Sequence, residues 1–137
     1  NSIKAITPLL KKQKFGSIVT TSSMNANQGI DSEISYSIAK TAVAQLTRSA
    51  AVSLRDYNIN VNSIAPGGTL TGRFLATVKD RTKQDQDKIF SKSQSKLLKP
   101  ASPDDISGVV SFLLSSKAAY VSGQVIRIDG AQSPYPI

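Results

Sequence analysis

Ser23, Tyr36 and Lys40 are the side chains of this 137-residue chain whose types and spacing suit proton transfer. Tyr36 and Lys40 stand four apart in Tyr36-Ser37-Ile38-Ala39-Lys40. On a helix that spacing places them one turn apart on the same face. An ammonium held beside a phenol favours the phenolate, the form that takes up a proton as a general base. Ser23 lies thirteen residues before the tyrosine. A serine, a tyrosine and a lysine in this arrangement point to proton transfer to and from a carbonyl or hydroxyl. A lone Tyr-x-x-x-Lys more often marks an ordinary helix surface, so the assignment depends on what surrounds it.

The composition narrows the chemistry further. The chain has no cysteine and no histidine. That excludes a disulfide framework, a thiolate metal site and a Ser-His-Asp triad, and it removes the commonest zinc ligand. A catalyst built here must use Tyr, Lys, Ser, Asp or Glu, and no metal is expected. With 39% hydrophobic and 19% charged residues the chain reads as globular rather than disordered. Its length suits one domain, residues 1–137, with a modest core. No apolar run reaches the length of a membrane span and no signal peptide is visible. A cytoplasmic protein without a membrane partner is therefore expected. The first residue is Asn1 rather than Met, so the chain is expected to be part of a longer one.

The net charge is +8. It is regional: Lys4, Lys11, Lys12 and Lys14 crowd the start, and residues 73–99 carry eight Lys/Arg against three Asp. Neither cluster has the interleaved aromatics of a nucleic-acid surface. Solvated helix faces explain the charge more simply, and no nucleic-acid partner is expected. The 73–99 cluster could also attract an anionic cofactor or substrate.

The elements that must position the three side chains follow from periodicity. Residues 3–13 read as a helix with Ile3, Ile6, Leu9 and Leu10 on its apolar face and Pro8 as a potential kink. Ser17 to Ser22 is a β-prone strand, and residues 24–35 form a polar loop. A long helix spans about 35–56, with Ala39, Val43, Leu46 and Ala50 as its apolar stripe. A second strand, Ile59 to Ile64, stops at Pro66-Gly67-Gly68. Residues 70–99 give one or two polar helices. Ser102-Pro103-Asp104-Asp105 is a helix start, with Ile106, Val109, Val110 and Leu113 as the buried stripe behind it. A third strand, Gln124 to Ile128, ends at Asp129-Gly130, and the tail 133–137 is expected to be extended. Strands alternating with helices imply a parallel sheet with right-handed crossovers. Ligands of such sheets lie beyond the carboxyl ends of the strands. Ser23, Tyr36 and Pro66-Gly67 all fall there.

Several ordered motifs carry a resemblance. Gly16-Ser17-Ile18-Val19-Thr20-Thr21-Ser22 precedes Ser23, and Thr41 to Ala51 continues the helix beyond Lys40. Ile59 to Thr71 brackets Pro66-Gly67-Gly68, and Ala118 to Gly130 closes the series. In order and spacing the chain resembles the C-terminal half of the classical branch of the short-chain dehydrogenase/reductase family. The fold implied is α/β: half of a Rossmann-like doubly wound parallel sheet, three strands with flanking helices. Residues 72–99 would form a substrate-side helical segment.

The resemblance implies roles residue by residue. Tyr36 would be the general acid/base. Lys40 would favour the phenolate and hydrogen-bond the nicotinamide ribose. Ser23 would hold the substrate carbonyl. Pro66 and Gly67 would let the backbone approach the nicotinamide. Thr69 would offer a main-chain contact to the carboxamide, and Thr71 a contact to the carboxamide or a phosphate. Met24 and Phe74 are candidates for an apolar substrate wall. Each has a plainer alternative: Ser23 and Thr71 could be caps, Pro66-Gly67-Gly68 an ordinary turn, and Met24 and Phe74 core or surface. Asp129-Gly130 reads as structural, with Ala131 where the family usually has a glycine. The implied cofactor is NAD or NADP, the choice not being legible. The implied partner is a small-molecule carbonyl/alcohol substrate. The family habit of pairing the helix after Tyr36 suggests a homodimer or homotetramer.

The chain also departs from the family. Its eight glycines include no G-x-G-x-x-G, the turn that holds a dinucleotide pyrophosphate at a helix N-terminus. A three-stranded half sheet is expected to leave an edge open and apolar surface bare, and so not to form a stable, active monomer alone. The alternative function is a non-catalytic remnant of the same fold that binds no cofactor.

Overall fold

In the computed structural model, residues 2–28, 30–90 and 95–133 are described. The central strand explains the rest. Strand β2, Ile59–Pro66, is buried at Ile59 and from Val61 to Ala65. It pairs in parallel with β1, Gly16–Thr21, in the register Gly16↔Ile59 to Thr21↔Ile64. On its other side lies β3, Val125–Ile128, in the register Ser63↔Val125 to Pro66↔Ile128. The order β1-β2-β3 is all parallel, and the side chains of β2 alternate between two covered faces. Such two-sided burial is what parallel sheets require.

On one face Ile59 and Val61 pack with Ala51 and Leu54 of helix α2 (Ile34–Leu54), with Leu10 of helix α1 (Ser2–Gln13) against the same cluster. On the other face Ile64 packs with Leu113 of helix α5 (Pro103–Leu114) and with Ala118. Two short helices, α3 (Gly72–Lys79) and α4 (Lys83–Ile89), bridge β2 and α5. This is the expected half of a doubly wound α/β sheet, with the expected element order.

Three local readings need correction or completion. Helix α1 runs through Pro8, as expected of residues 3–13, and stops where Lys14 adopts φ 59°. The loop 24–35 contains two single 3₁₀ turns, Met24–Asn27 and Asp31–Glu33. In α2 the buried residues are Ala44, Thr47, Ala51 and Leu54, not the predicted Ala39, Val43, Leu46 and Ala50. The helix is rotated by about one residue, roughly 100°. The cause is polar. Thr47, fully buried, shares a 2.7 Å hydrogen bond with Thr20 of β1 and donates to the Val43 carbonyl. A hydroxyl pair between helix and sheet is invisible to an apolar count. Leu46 is left 51% exposed.

The start of α5 is as predicted, and tighter. Ser102 and Asp105 form a reciprocal capping box with Pro103 in the first turn. Lys96 donates to the Asp105 carboxylate. That bond, then those from Ser102, lower the Asp105 pKa from 3.8 to about 2. A folded-state value below the unfolded one stabilises the fold above the unfolded pKa. The contribution should vanish as pH falls from about 3.8 through about 2. Urea titrations across that interval should show a shallower loss of stability for Asp105→Asn than for the parent; equal slopes would refute the linkage.

Apolar surface remains uncovered. Helix α1 has no buried residue, and Leu9 and Phe15 are exposed. Among the described residues β1 has no strand on its outer edge. Both were expected of three strands with only their own helices. Among the described residues no helix is long and apolar enough to cross a membrane, and no group of acidic, histidine or cysteine side chains could hold a metal ion. The tail 134–137 lies outside the described residues.

Candidate active site

The carboxyl ends of β1 and β2 lie side by side. The amide of Ser22 donates to the Ile64 carbonyl at 2.8 Å, and that of Gly67 to the Ile128 carbonyl at 3.0 Å. The N-terminal part of α2 is fastened over this edge by polar bonds. Lys40 Nζ donates to the Thr21 carbonyl at 2.9 Å, and Ser22 Oγ donates to the Lys40 carbonyl at 2.8 Å. Thr41 Oγ1 reaches the Ala26 carbonyl at 2.6 Å. These bonds hold Tyr36, in the first turn of α2, beyond the ends of the strands.

A broad open cleft of about 1420 Å³ occupies that position. Ser23, Met24 and Tyr36 line it on the β1–α2 side, and Pro66, Gly67, Thr69, Thr71 and Phe74 on the β2–α3 side. Eight of the nine residues singled out from sequence thus meet in one cleft. Lys40 does not line it; its ammonium stands 5.6 Å from the Tyr36 ring centroid, anchored on Thr21.

The local geometry gives several of these residues a structural job as well. Ser23 is buried, and its Oγ accepts the Asn25 amide at 3.2 Å, capping the turn Met24–Asn27. Among the described residues no acceptor takes its hydroxyl hydrogen. Tyr36 is 42% exposed, open to a ligand. Thr71 caps α3 by accepting the Phe74 amide at 3.3 Å. Gly68 and Leu70 pair with Ala101, through Ala101 N to Gly68 O and Leu70 N to Ala101 O, each at 2.8 Å. In an extended segment the amide between them points the other way. The Thr69 N–H is accordingly directed away from that pair.

Gly67 is required by packing. A Cβ there would lie 2.9 Å from Asp129 Cβ and 3.3 Å from Met24 Sδ. Asp129 itself ties the turn after β3, accepting the amides of Ala131 and Ser133, each at 3.1 Å. Gly130 has φ 59°, and a Cβ would meet the Leu97 carbonyl oxygen at 2.5 Å. Ala131 has φ 62°, a left-handed conformation that disfavours any side chain by about 1–2 kcal/mol.

Sequence reasoning did not find the 2.6 Å bond from Asn25 to Glu33, which ties the loop's two 3₁₀ turns together at the cleft wall. Nor did it single out Arg73, Arg81 and Lys88, which also line the cleft. The charge excess of residues 73–99 was their only signal.

The sequence profile of a family described as Enoyl-(Acyl carrier protein) reductase matches residues 1–131. Dehydrogenase/reductase SDR family member 4 of Sus scrofa is 32% identical over 127 residues, covering 93% of this chain and 44% of that protein. The chain belongs to the short-chain dehydrogenase/reductase family. Levodione reductase of Leifsonia aquatica is 33% identical over 135 residues, covering 96% of this chain and 50% of that protein. A solved levodione reductase structure has a TM-score of 0.86 to this chain at 31% identity, over 98% of this chain and 53% of that one. ElxO, solved with NADP bound, has a TM-score of 0.82 at 26% identity, over 97% of this chain and 52% of that one. The chain spans about half the length of the curated relatives it matches. No G-x-G-x-x-G lies within this chain.

Proposed function

We propose that this chain supplies the catalytic side of an NAD(P)-dependent oxidoreductase acting on a carbonyl/alcohol pair. The observation that carries the reading is the shared cleft of Ser23 and Tyr36, with Lys40 beneath the tyrosine ring. When bound, the nicotinamide supplies or accepts hydride; the chain's own task is orientation and the proton. Ser23 Oγ donates to the substrate carbonyl oxygen. Tyr36 gives that oxygen its proton in reduction and takes it back in oxidation. Lys40 keeps one donor on the Thr21 carbonyl and has two more for the phenol oxygen and a ribose hydroxyl. The outward Thr69 N–H suits a carboxamide oxygen, and Pro66 and Gly67 bring the backbone to the cleft wall where the nicotinamide would lie. Met24 and Phe74 supply apolar wall, and residues 72–99 form the substrate side of the cleft. NADP in ElxO supports a nicotinamide cofactor without choosing between NAD and NADP.

The outer face of α2 suits a second copy of the chain. Ile34, Ile38, Leu46 and Val52 are each more than half exposed along it, and a homodimer or homotetramer through this helix would cover them.

The test uses the purified protein with NADH or NADPH and a panel of ketones. Consumption of reduced nicotinamide is expected. Lys40→Ala should lower kcat/KM by about 100-fold or more and weaken nucleotide binding. Calorimetry showing no affinity for either nucleotide would instead favour a remnant that keeps the fold without the chemistry.

A further inference from the structure

Six ionisable side chains line the cleft beside Tyr36: Asp31, Glu33, Asp85, Arg73, Arg81 and Lys88. The two signs are not treated alike. Every acid is engaged within its own neighbourhood. Glu33 accepts from Asn25 at 2.6 Å, Asp31 from the Ser32 amide at 2.7 Å, and Asp85 from Thr82 at 2.8 Å. The cations are not. Among the described residues none of the three makes an ion pair or a side-chain hydrogen bond; the ion pairs there are Arg55–Asp56 and Lys96–Asp105. Asp31 and Glu33 border the β1–α2 side, while the α3–α4 segment carries the three cations against the single carboxylate of Asp85.

Their placement is regular. Arg73 and Thr77 are one turn apart on α3, and Arg81 follows just beyond its end. All three face the cleft, whereas Val78, on another side of the helix, is buried. Lys88 faces the same space from α4, next to Ile89. Three cations against one carboxylate leave the α3–α4 wall of the cleft with a net positive charge, which favours an anion on that side. A guanidinium offers two parallel donors that match a carboxylate or phosphate.

We propose that the substrate carries an oxyanion, a carboxylate or a phosphate monoester, held by Arg73, Arg81 and Lys88 while its carbonyl lies against Ser23 and Tyr36. The proposal rests on the carbonyl/alcohol reading of the same cleft. It adds a recognition group at the far wall and makes the α3–α4 segment the element that selects the substrate.

The test separates binding from turnover. Calorimetry on the purified protein compares levulinate, its methyl ester, inorganic phosphate and acetate. The acid should bind at least about 10-fold more tightly than the ester, as expected for bonds to a charged group. In Arg73→Gln/Arg81→Gln, and separately in Lys88→Gln, that preference should shrink toward unity. All of these side chains are exposed, and a thermal melt checks that the variants fold. Competition stronger with phosphate than with acetate assigns a phosphate monoester, and the reverse a carboxylate. If acid and ester bind alike, or if the variants lose affinity for NADPH and keep the acid preference, the proposal is overturned; in the second case the cations serve the nucleotide's phosphates. Loss of anion binding in the variants, with no ketone reduced by the parent, would leave the anion site standing and sink the oxidoreductase reading. Reduction of neutral ketones with no acid preference would do the opposite.

Discussion

Tyr36→Phe should lower kcat by about 100- to 10,000-fold, the usual contribution of a positioned acid/base, and leave nucleotide affinity nearly unchanged. The substitution removes one oxygen and keeps the ring. The 5.6 Å approach of Lys40 to that ring would persist, as would its bond to the Thr21 carbonyl. The α2 anchor through Ser22 and Thr41 does not involve the phenol. Tyr36 is 42% exposed, so its hydroxyl carries no buried hydrogen bond whose loss would destabilise the fold. An activity loss of this size with an unchanged melting temperature isolates the proton-transfer role. Ser23→Ala differs in kind: its Oγ also caps the turn Met24–Asn27, so a drop in kcat should come with a small loss of stability, about 1 kcal/mol. A Tyr36→Phe variant retaining near-parental kcat would show that another group moves the proton.

The placement of the candidate site was legible in the sequence because its residues lie at element ends, where few arrangements are available. A β-prone run ending in Ser22-Ser23, a Tyr-x-x-x-Lys opening a helix, and a strand stopped by Pro66-Gly67 must share one edge of a parallel sheet. The helix start at Ser102 was legible for a similar reason, since its residues are close in the chain. What stayed hidden depends on contacts between distant residues. The rotation of α2 is set by Thr47 meeting Thr20 across twenty-seven positions; counting apolar residues puts Leu46 inside instead. The second role of Gly67, clearing Asp129, needs β3 beside β2. The cations of α3 and α4 read as solvated helix faces, because which side of a short polar helix meets a cleft is set by the loop that delivers it.

The asparagines of β2 were equally hidden, since asparagine is a poor strand former, and they carry the second large effect. Asn62→Ala should cost about 3 kcal/mol of stability. Asn62 is 1% exposed on the central strand. Its side chain donates to the Val121 carbonyl at 2.7 Å and accepts the Gln124 amide at 3.0 Å. Asn60 adds bonds to the carbonyls of Ala118 and Ala119, and the Val61 amide donates to Ser122. Together they lash the segment before β3 onto β2. Alanine would leave the part-buried Val121 carbonyl and Gln124 amide without these partners, each worth about 1–3 kcal/mol. Asn60→Ala, at a more exposed position, should cost about 1 kcal/mol. The damage should reach the cleft through β3, whose Ile128 carbonyl holds the Gly67 amide and whose Asp129 packs on Gly67. Denaturant titrations should therefore place Asn62→Ala well below Asn60→Ala. Activity lost by Asn62→Ala should return on cooling or with saturating nucleotide, as mass action requires of a folding defect. A cost under about 1 kcal/mol would mean that water replaces the lost side chain between the strand and the segment 118–124, and that β3 is held chiefly by its ladder and its apolar face.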